Sequence, residues 1–123
     1  MDNLQSFVMP GMRWYIKWYR EGVSDEIRRD CPALMLFHTL IEEPMGEENC
    51  VIATTYATFM AQALSVGSCR NDLIPPICNR SREIRELIGL PDNREVYSSL
   101  TLGYSKYDYR RTIPHQVSEV RYL

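Results

Sequence analysis

The sequence is poor in the residues from which metal centres and disulfide frameworks are built. It contains four cysteines without a Cys-x-x-Cys pair, and only two histidines, among 123 residues. Zinc and iron–sulfur sites need clusters of such ligands, so we expect no metal site. Because 45% of the residues are hydrophobic, the chain can form a core without disulfides. Four reduced cysteines then indicate a cytoplasmic protein.

Charge excess and long apolar runs are also missing. The formal net charge is −2 and the sequence pI is about 5.7, which argues against binding to nucleic acid or to an anionic membrane surface. The longest apolar region, residues 50–64, is interrupted by threonines and Gln62 and is too short to span a bilayer. No signal peptide is visible at the start. We predict a single domain over residues 1–123 that binds neither nucleic acid nor membrane.

The usual arrangements of catalytic side chains are absent as well. The sequence shows no Ser–His–Asp pattern, no paired catalytic carboxylates and no Walker-type glycine loop. His38 at the end of an apolar run is more typical of a core residue than of a base, and Cys69 is a weak candidate nucleophile. We therefore predict no catalytic side chain. An enzyme of this sequence would depend on a cofactor for its chemistry.

Two patterns fill the N-terminal third. Tryptophans and tyrosines repeat at a spacing of four in residues 12–21, which indicates a helix inside a helical segment over residues 1–29. This helix packs either in the core or against a partner subunit. The continuous apolar run at residues 33–37 predicts a central strand that is buried on both faces.

The middle of the chain is predicted to be largely helical. Residues 48–65 are small or apolar nearly all round, as in a buried helix, and Gly67 would cap its C-terminus. Residues 70–78 contain two adjacent prolines and are predicted to be a loop. Asn79 is expected to cap a helix over residues 80–88. The alternative is that the free amides at this helix start bind an anion.

A strand and an extended arm complete the pattern. Residues 95–102 alternate apolar and polar side chains, as strands do. The tail that follows contains Pro114 and several apolar residues, so we expect an arm that wraps onto its own domain or onto a second copy. The order of elements predicts an α+β fold with a mixed sheet flanked by helices. Two strands are marginal alone, so we expect the sheet to be incomplete in one chain and completed in a homodimer.

Two segments could hold a ligand. Residues 65–72 are predicted to form a turn of small residues whose backbone lets a planar ligand approach closely, although a simple helix stop explains them too. Arg110 and Arg111 could bind a phosphate through charge-assisted hydrogen bonds, or be a solvated charged run.

In their order and spacing, pieces of residues 30–123 resemble the C-terminal half of nitroreductase-family flavoproteins. The segments that carry the resemblance are residues 33–38, Glu48-Asn49-Cys50 with the helix after it, Gly67-Ser68-Cys69, Arg85-Glu86-Leu87-Ile88-Gly89-Leu90-Pro91, Leu102-Gly103-Tyr104-Ser105-Lys106, Arg110-Arg111-Thr112-Ile113-Pro114 and Glu119-Val120-Arg121-Tyr122-Leu123.

The resemblance implies a nitroreductase-like α+β domain that forms an intimate homodimer and binds FMN at the dimer interface. It implies an oxidoreductase that passes electrons from NADH or NADPH to nitroaromatics, quinones or similar acceptors. By the same resemblance, the loop at the isoalloxazine and the phosphate-binding arginines correspond to Gly67, Ser68, Cys69, Asn71, Asp72, Arg110 and Arg111.

Two departures from the family pattern leave an alternative open. Arg70 and Asp72 stand where the family has an aromatic residue and a glycine. The family's N-terminal segments, Arg-Arg-Ser-x-Arg-like and Pro-Ser-x-x-Asn-like, do not occur in residues 1–29. The loss of two or three charge-assisted hydrogen bonds would remove on the order of 3–9 kcal/mol of FMN binding. The alternative is a truncated, non-catalytic dimerisation or binding module without FMN. A separate chain that supplies the missing N-terminal half would instead preserve the enzyme.

Overall fold

Three strands and three helices follow one another along the part of the chain that the structure, a computed structural model, describes, namely residues 17–107 and residue 121. In chain order they are β1 (Ala33–Leu40), α1 (Gly46–Ala63), β2 (Gly67–Arg70), α2 (Ile74–Arg80), α3 (Arg82–Ile88) and β3 (Arg94–Gly103). Residues 17–20 are helical too, at the end of the helix predicted over residues 12–21. Residues 12–16 of that predicted helix, and Arg110 and Arg111 of the predicted arm, lie outside the described residues. The predicted α+β fold is confirmed.

The three strands form a sheet in the order β1-β3-β2, and both pairings are antiparallel. The parallel pairing expected of a mixed sheet is not found among these strands. The prediction that β1 is central and buried on both faces is wrong, because β3 takes the central position. As an edge strand, β1 leaves Leu34, Met35 and Leu40 between 37% and 41% exposed. An apolar run indicates burial, but it does not say which strand has neighbours on both sides.

The alternation predicted for β3 is interrupted by a bulge opposite β1. Phe37 pairs with Ser98 and His38 with Val96, so Tyr97 is an extra residue on β3. Such a bulge bends the strand and changes the side to which following side chains point. Ser98 is fully buried here, and its hydroxyl has no hydrogen-bond partner among the described residues.

Residues 67–70 were predicted to be a turn, and they form the short edge strand β2 instead. Gly67 pairs with Gly103 at the end of β3. A Cβ atom at Gly67 would lie 3.0 Å from the Gly103 carbonyl oxygen, so the absence of a side chain at Gly67 permits the close approach of the two backbones. The predicted cap at Gly67 is also wrong. Helix α1 ends at Ala63, and Ser65 takes the left-handed conformation with φ 57°.

Helix α1 has two unlike faces. Its buried residues are small: Gly46, Cys50, Thr54 and Ala61. On the other face Ile52, Tyr56, Phe59 and Met60 are between 54% and 73% exposed. The predicted buried helix is therefore buried on one side only within the described residues.

Helices α2 and α3 complete a second part of the core. Ile74 and Cys78 of α2 pack with Leu90 and Val96 in one buried cluster. The loop predicted over residues 70–78 is mostly helix, because its two prolines fall in the first turn of α2, where their missing N–H groups are not needed.

Asn79 does not cap the following helix as predicted. Ser81 is the N-cap of α3, and its hydroxyl accepts a hydrogen bond from the Ile84 amide at 3.3 Å. Asn79 lies in α2 and turns its amide to the central strand. Its Nδ2 donates to the Val96 carbonyl oxygen at 2.8 Å, and its Oδ1 accepts from the Val96 N–H at 2.8 Å. The Asn79 side chain therefore forms hydrogen bonds with a part of β3 that β2 does not reach.

Candidate functional site around strand β2

Five of the seven predicted cofactor-binding residues lie together on β2 and the turn after it. Gly67, Ser68 and Cys69 belong to the strand, and Asn71 and Asp72 follow directly. Among the described strands β2 pairs only with β3, which leaves its other backbone edge open. Cys69 is exposed and Ser68 half-buried. An edge of small residues with unpaired backbone groups fits a planar ligand that is held through the main chain.

Asn71 fixes the end of β2 through four hydrogen bonds. Its Nδ2 donates to the Ile27 carbonyl oxygen, and its Oδ1 accepts from the Leu73 N–H at 3.1 Å. Its backbone N–H donates to the Ser99 carbonyl oxygen at 3.1 Å, and its carbonyl oxygen accepts from the Ser99 hydroxyl at 2.6 Å. Each polar atom of Asn71 thus has a hydrogen-bond partner within the chain, so we assign it a positioning role beside the predicted site.

Arg70 and Asp72, which stand where the family has an aromatic residue and a glycine, form an ion pair with each other. The Arg70 Nε lies 2.8 Å from the Asp72 Oδ1, and the two side chains are 46% and 68% exposed. Exposed pairs of this kind stabilise a fold by about 0–1 kcal/mol. Their importance here is electrostatic, since Arg70 partly neutralises the negative charge that Asp72 brings to the site.

The four cysteines are free thiols in unlike surroundings. Cys69 is exposed on β2, and Cys31 is half-buried before β1. Cys50 and Cys78 are buried, and desolvation raises the pKa of both thiols above the ordinary value. Because the thiolate is the reactive form, burial makes Cys50 and Cys78 poor nucleophiles.

Cys69 is therefore expected to react first with a thiol reagent. At pH 8, labelling with dithionitrobenzoate should show one fast phase, which disappears in Cys69→Ser. The matched variant Cys31→Ser should keep that phase, and the two buried thiols should react only on unfolding. Fast labelling of Cys50 in the folded protein would contradict this assignment.

A separate cleft lies between the end of β1 and the start of α1. Its volume is about 340 Å³, and it is lined by Leu36, Phe37, His38, Thr39, Asn49, Cys50 and Ala53. The His38 Nδ1 lies 3.3 Å from the Arg94 Nη1, and because arginine only donates, this ring nitrogen accepts. The cleft brings His38 and Cys50 to one surface, but the raised pKa of Cys50 keeps it a thiol. None of the five predicted cofactor-binding residues that the structure describes lines this cleft.

Metal ligands do not cluster in the part of the chain that the structure covers: no three His, Cys, Asp or Glu side chains there are placed to hold an ion. No helix within residues 17–107 has the length and hydropathy needed to cross a membrane.

Comparison with known proteins agrees with the fold. No model of a protein family matches the chain. Over 62 residues it is 36% identical to a protein of Archaeoglobus fulgidus provisionally named an NADH dehydrogenase/NAD(P)H nitroreductase, a match that covers 50% of this chain and 35% of that protein. The chain thus spans about a third of this relative's length.

Two solved structures share the architecture. A nitroreductase with bound FMN from Bacteroides fragilis superposes with a TM-score of 0.61 at 20% identity, over 85% of this chain and 61% of that one. An iodotyrosine deiodinase bound to FMN and 3-iodo-L-tyrosine superposes with a TM-score of 0.58 at 21% identity, over 95% of this chain and 60% of that one. The chain therefore shares the nitroreductase fold over about 60% of the length of these two structures. The resemblance to the C-terminal half of nitroreductases is confirmed.

Proposed function

We propose that this chain is the C-terminal half of an FMN-dependent oxidoreductase of nitroreductase type. The open edge of β2, with Gly67, Ser68 and Cys69, is the observation that carries the proposal, because it is the segment that corresponds to the isoalloxazine loop of the family. Arg110 and Arg111 would hold the phosphate through charge-assisted hydrogen bonds. When bound, FMN would supply the hydride and electron transfer, for which the sequence predicts no catalytic side chain.

The electron donor would be NADH or NADPH, and the acceptor a nitroaromatic, a quinone or a similar compound. The name of the Archaeoglobus relative supports this donor and acceptor class. The protein would act in the cytoplasm as a homodimer. Support for a dimer comes from α1, whose face of Ile52, Tyr56, Phe59 and Met60 is more than half exposed in one chain. A contiguous apolar surface of this kind is typical of a protein–protein interface.

Binding of FMN by the purified chain tests the proposal. Titration with FMN should quench the flavin fluorescence and give a saturable curve. Arg110→Ala and Arg111→Ala should each weaken binding by about tenfold to a hundredfold, since a charge-assisted hydrogen bond contributes about 1.5–3 kcal/mol. Arg82→Ala is the matched control, because Arg82 is an exposed arginine that pairs with Glu86 on α3. Equal losses in all three variants, or no binding at millimolar FMN, would contradict the proposal for the isolated chain.

A second candidate function is a non-catalytic dimerisation or binding module that has lost FMN. It is favoured by Asp72, a charged residue that stands where the family has a glycine. If this candidate is right, the purified protein should be a stable, colourless oligomer that does not bind added FMN. Recovery of yellow protein only together with a second polypeptide would instead indicate that a separate chain supplies the N-terminal half.

A further inference from the structure

The side chain of Arg70 is only partly engaged by contacts within the chain. Its Nε donates to the Asp72 Oδ1 at 2.8 Å, and within the described residues this carboxylate is the only hydrogen-bond partner of the guanidinium. A guanidinium has five N–H donors in a planar fork, and the two Nη atoms carry four of them. The side chain is 46% exposed. Its Nη groups are therefore accessible to an acceptor that is not among the described residues.

The neighbours of Arg70 in the chain restrain its guanidinium. Asn71, the next residue, is hydrogen-bonded to Ile27 and to Ser99, which fixes the backbone at the end of β2. The carboxylate of Asp72 then holds the Nε edge of the guanidinium. A donor that is oriented before binding loses less conformational entropy when a ligand binds. The Nη edge of Arg70 is thus presented to a ligand in a restricted orientation.

Arg70 also adjoins the segment that corresponds to the isoalloxazine loop. It is the last residue of β2, directly after Gly67, Ser68 and Cys69. It stands where the family has an aromatic residue. An aromatic side chain offers an apolar surface, whereas the planar guanidinium offers two parallel N–H donors that match a carboxylate. The arginine therefore gives this end of the site the chemistry of an anion-binding group.

We propose that Arg70 binds a carboxylate of the electron acceptor through its Nη groups, while Asp72 orients the guanidinium. The acceptors of this chain are then nitroaromatics or quinones that carry a carboxylate. Because the Asp72 side chain is 68% exposed, water and salt screen its repulsion of the bound carboxylate. Arg70 transfers no proton and no electron in this role. The proposal rests on the proposed function, which supplies the identity of the ligand as an electron acceptor.

Two nitroaromatics of the same shape test the proposal, 4-nitrobenzoate with a carboxylate and 4-nitrobenzamide with a neutral amide. The chain loaded with FMN should reduce 4-nitrobenzoate with the lower KM. Arg70→Gln should raise that KM about threefold to tenfold and leave kcat and the KM for 4-nitrobenzamide nearly unchanged, since only a binding contact is lost. Arg70→Lys keeps the charge without the planar fork, so it should recover part of the loss. Arg82→Gln is the matched control, because the Arg82 Nε also pairs with an exposed carboxylate, that of Glu86 at 2.9 Å.

A direct binding measurement separates this proposal from the proposed function. Ligand-observed NMR follows the binding of both compounds to the chain with and without FMN, and circular dichroism checks that the variants fold. If the chain binds no FMN, a preference for 4-nitrobenzoate that is lost in Arg70→Gln still supports the carboxylate site.

Three results would overturn the carboxylate site at Arg70, even in a chain that binds FMN as proposed. The first is equal binding of the two compounds, or binding of neither, in both states. The second is a loss in Arg82→Gln as large as that in Arg70→Gln. The third is a loss of affinity for FMN or NADPH in Arg70→Gln that matches the loss for 4-nitrobenzoate, since the anion would then belong to the cofactor.

Discussion

Replacement of Asn79 by alanine is expected to lower the free energy of unfolding by on the order of 2–6 kcal/mol, the combined cost of two buried backbone groups left unpaired. The Asn79 side chain pairs with both the N–H and the carbonyl oxygen of Val96. Val96 is 1% exposed, so water cannot take over these hydrogen bonds. A loss of this size is a large part of the 5–15 kcal/mol typical of a small domain.

Urea denaturation followed by circular dichroism measures this loss. Asn93→Ala is the matched control, because Asn93 lies in an exposed turn and should change stability by less than about 0.5 kcal/mol. Asn79→Asp keeps the acceptor for the Val96 N–H but places a carboxylate oxygen against the carbonyl, so it should also destabilise. Stability of Asn79→Ala equal to that of Asn93→Ala would show that Asn79 does not stabilise β3.

Leu100→Ala is expected to cost about 2–5 kcal/mol, as large-to-small substitutions in well-packed cores do. Leu100 is 0% exposed, and it lies on the central strand, opposite Met35 on one side and Arg70 on the other. A cavity there would weaken the packing of β3 in its pairing with β1 and also in its pairing with β2. Thermal and urea unfolding should both report the loss.

Leu87→Ala provides the comparison for this prediction. Leu87 is 84% exposed, so the same chemical change there should be within about 0.5 kcal/mol of neutral. If the two variants were equally stable, Leu100 would not be in the core that the structure shows.

Local patterns in the sequence were sufficient to predict most of the elements. The helix predicted over residues 48–65 is α1, Gly46–Ala63, and the strand predicted over residues 95–102 is β3, Arg94–Gly103. Both depend on periodicity within a single segment. The position of β1 in the sheet depends instead on which strands pair with it, and β3 is far from it along the chain. No pattern within residues 33–37 contains that information.

The two prolines of α2 and the role of Asn79 were missed for different reasons. Two adjacent prolines favour a loop unless they are known to lie in the first turn of a helix. Here the helix begins at Ile74, directly before Pro75. Asn79 is followed by a helix, which made a cap the natural reading. Its actual partner, Val96, is 17 residues away.

The candidate site was predicted in part. The position of Gly67, Ser68 and Cys69 on one exposed segment follows from the family resemblance, and the structure places them together on β2. The role of Asn71 could not be predicted, because its partners Ile27 and Ser99 are 44 and 28 residues away. The pairing of Arg70 with Asp72 could have been expected, since oppositely charged side chains two residues apart on an extended chain lie on the same side.

The link between Asn71 and Ile27 has a mechanical consequence. The hydrogen bond from the Asn71 side chain to Ile27 joins the turn before β1 to the end of β2, so a displacement of either segment is transmitted to the other. A rearrangement of residues 23–31 would therefore also displace the end of β2, next to Cys69.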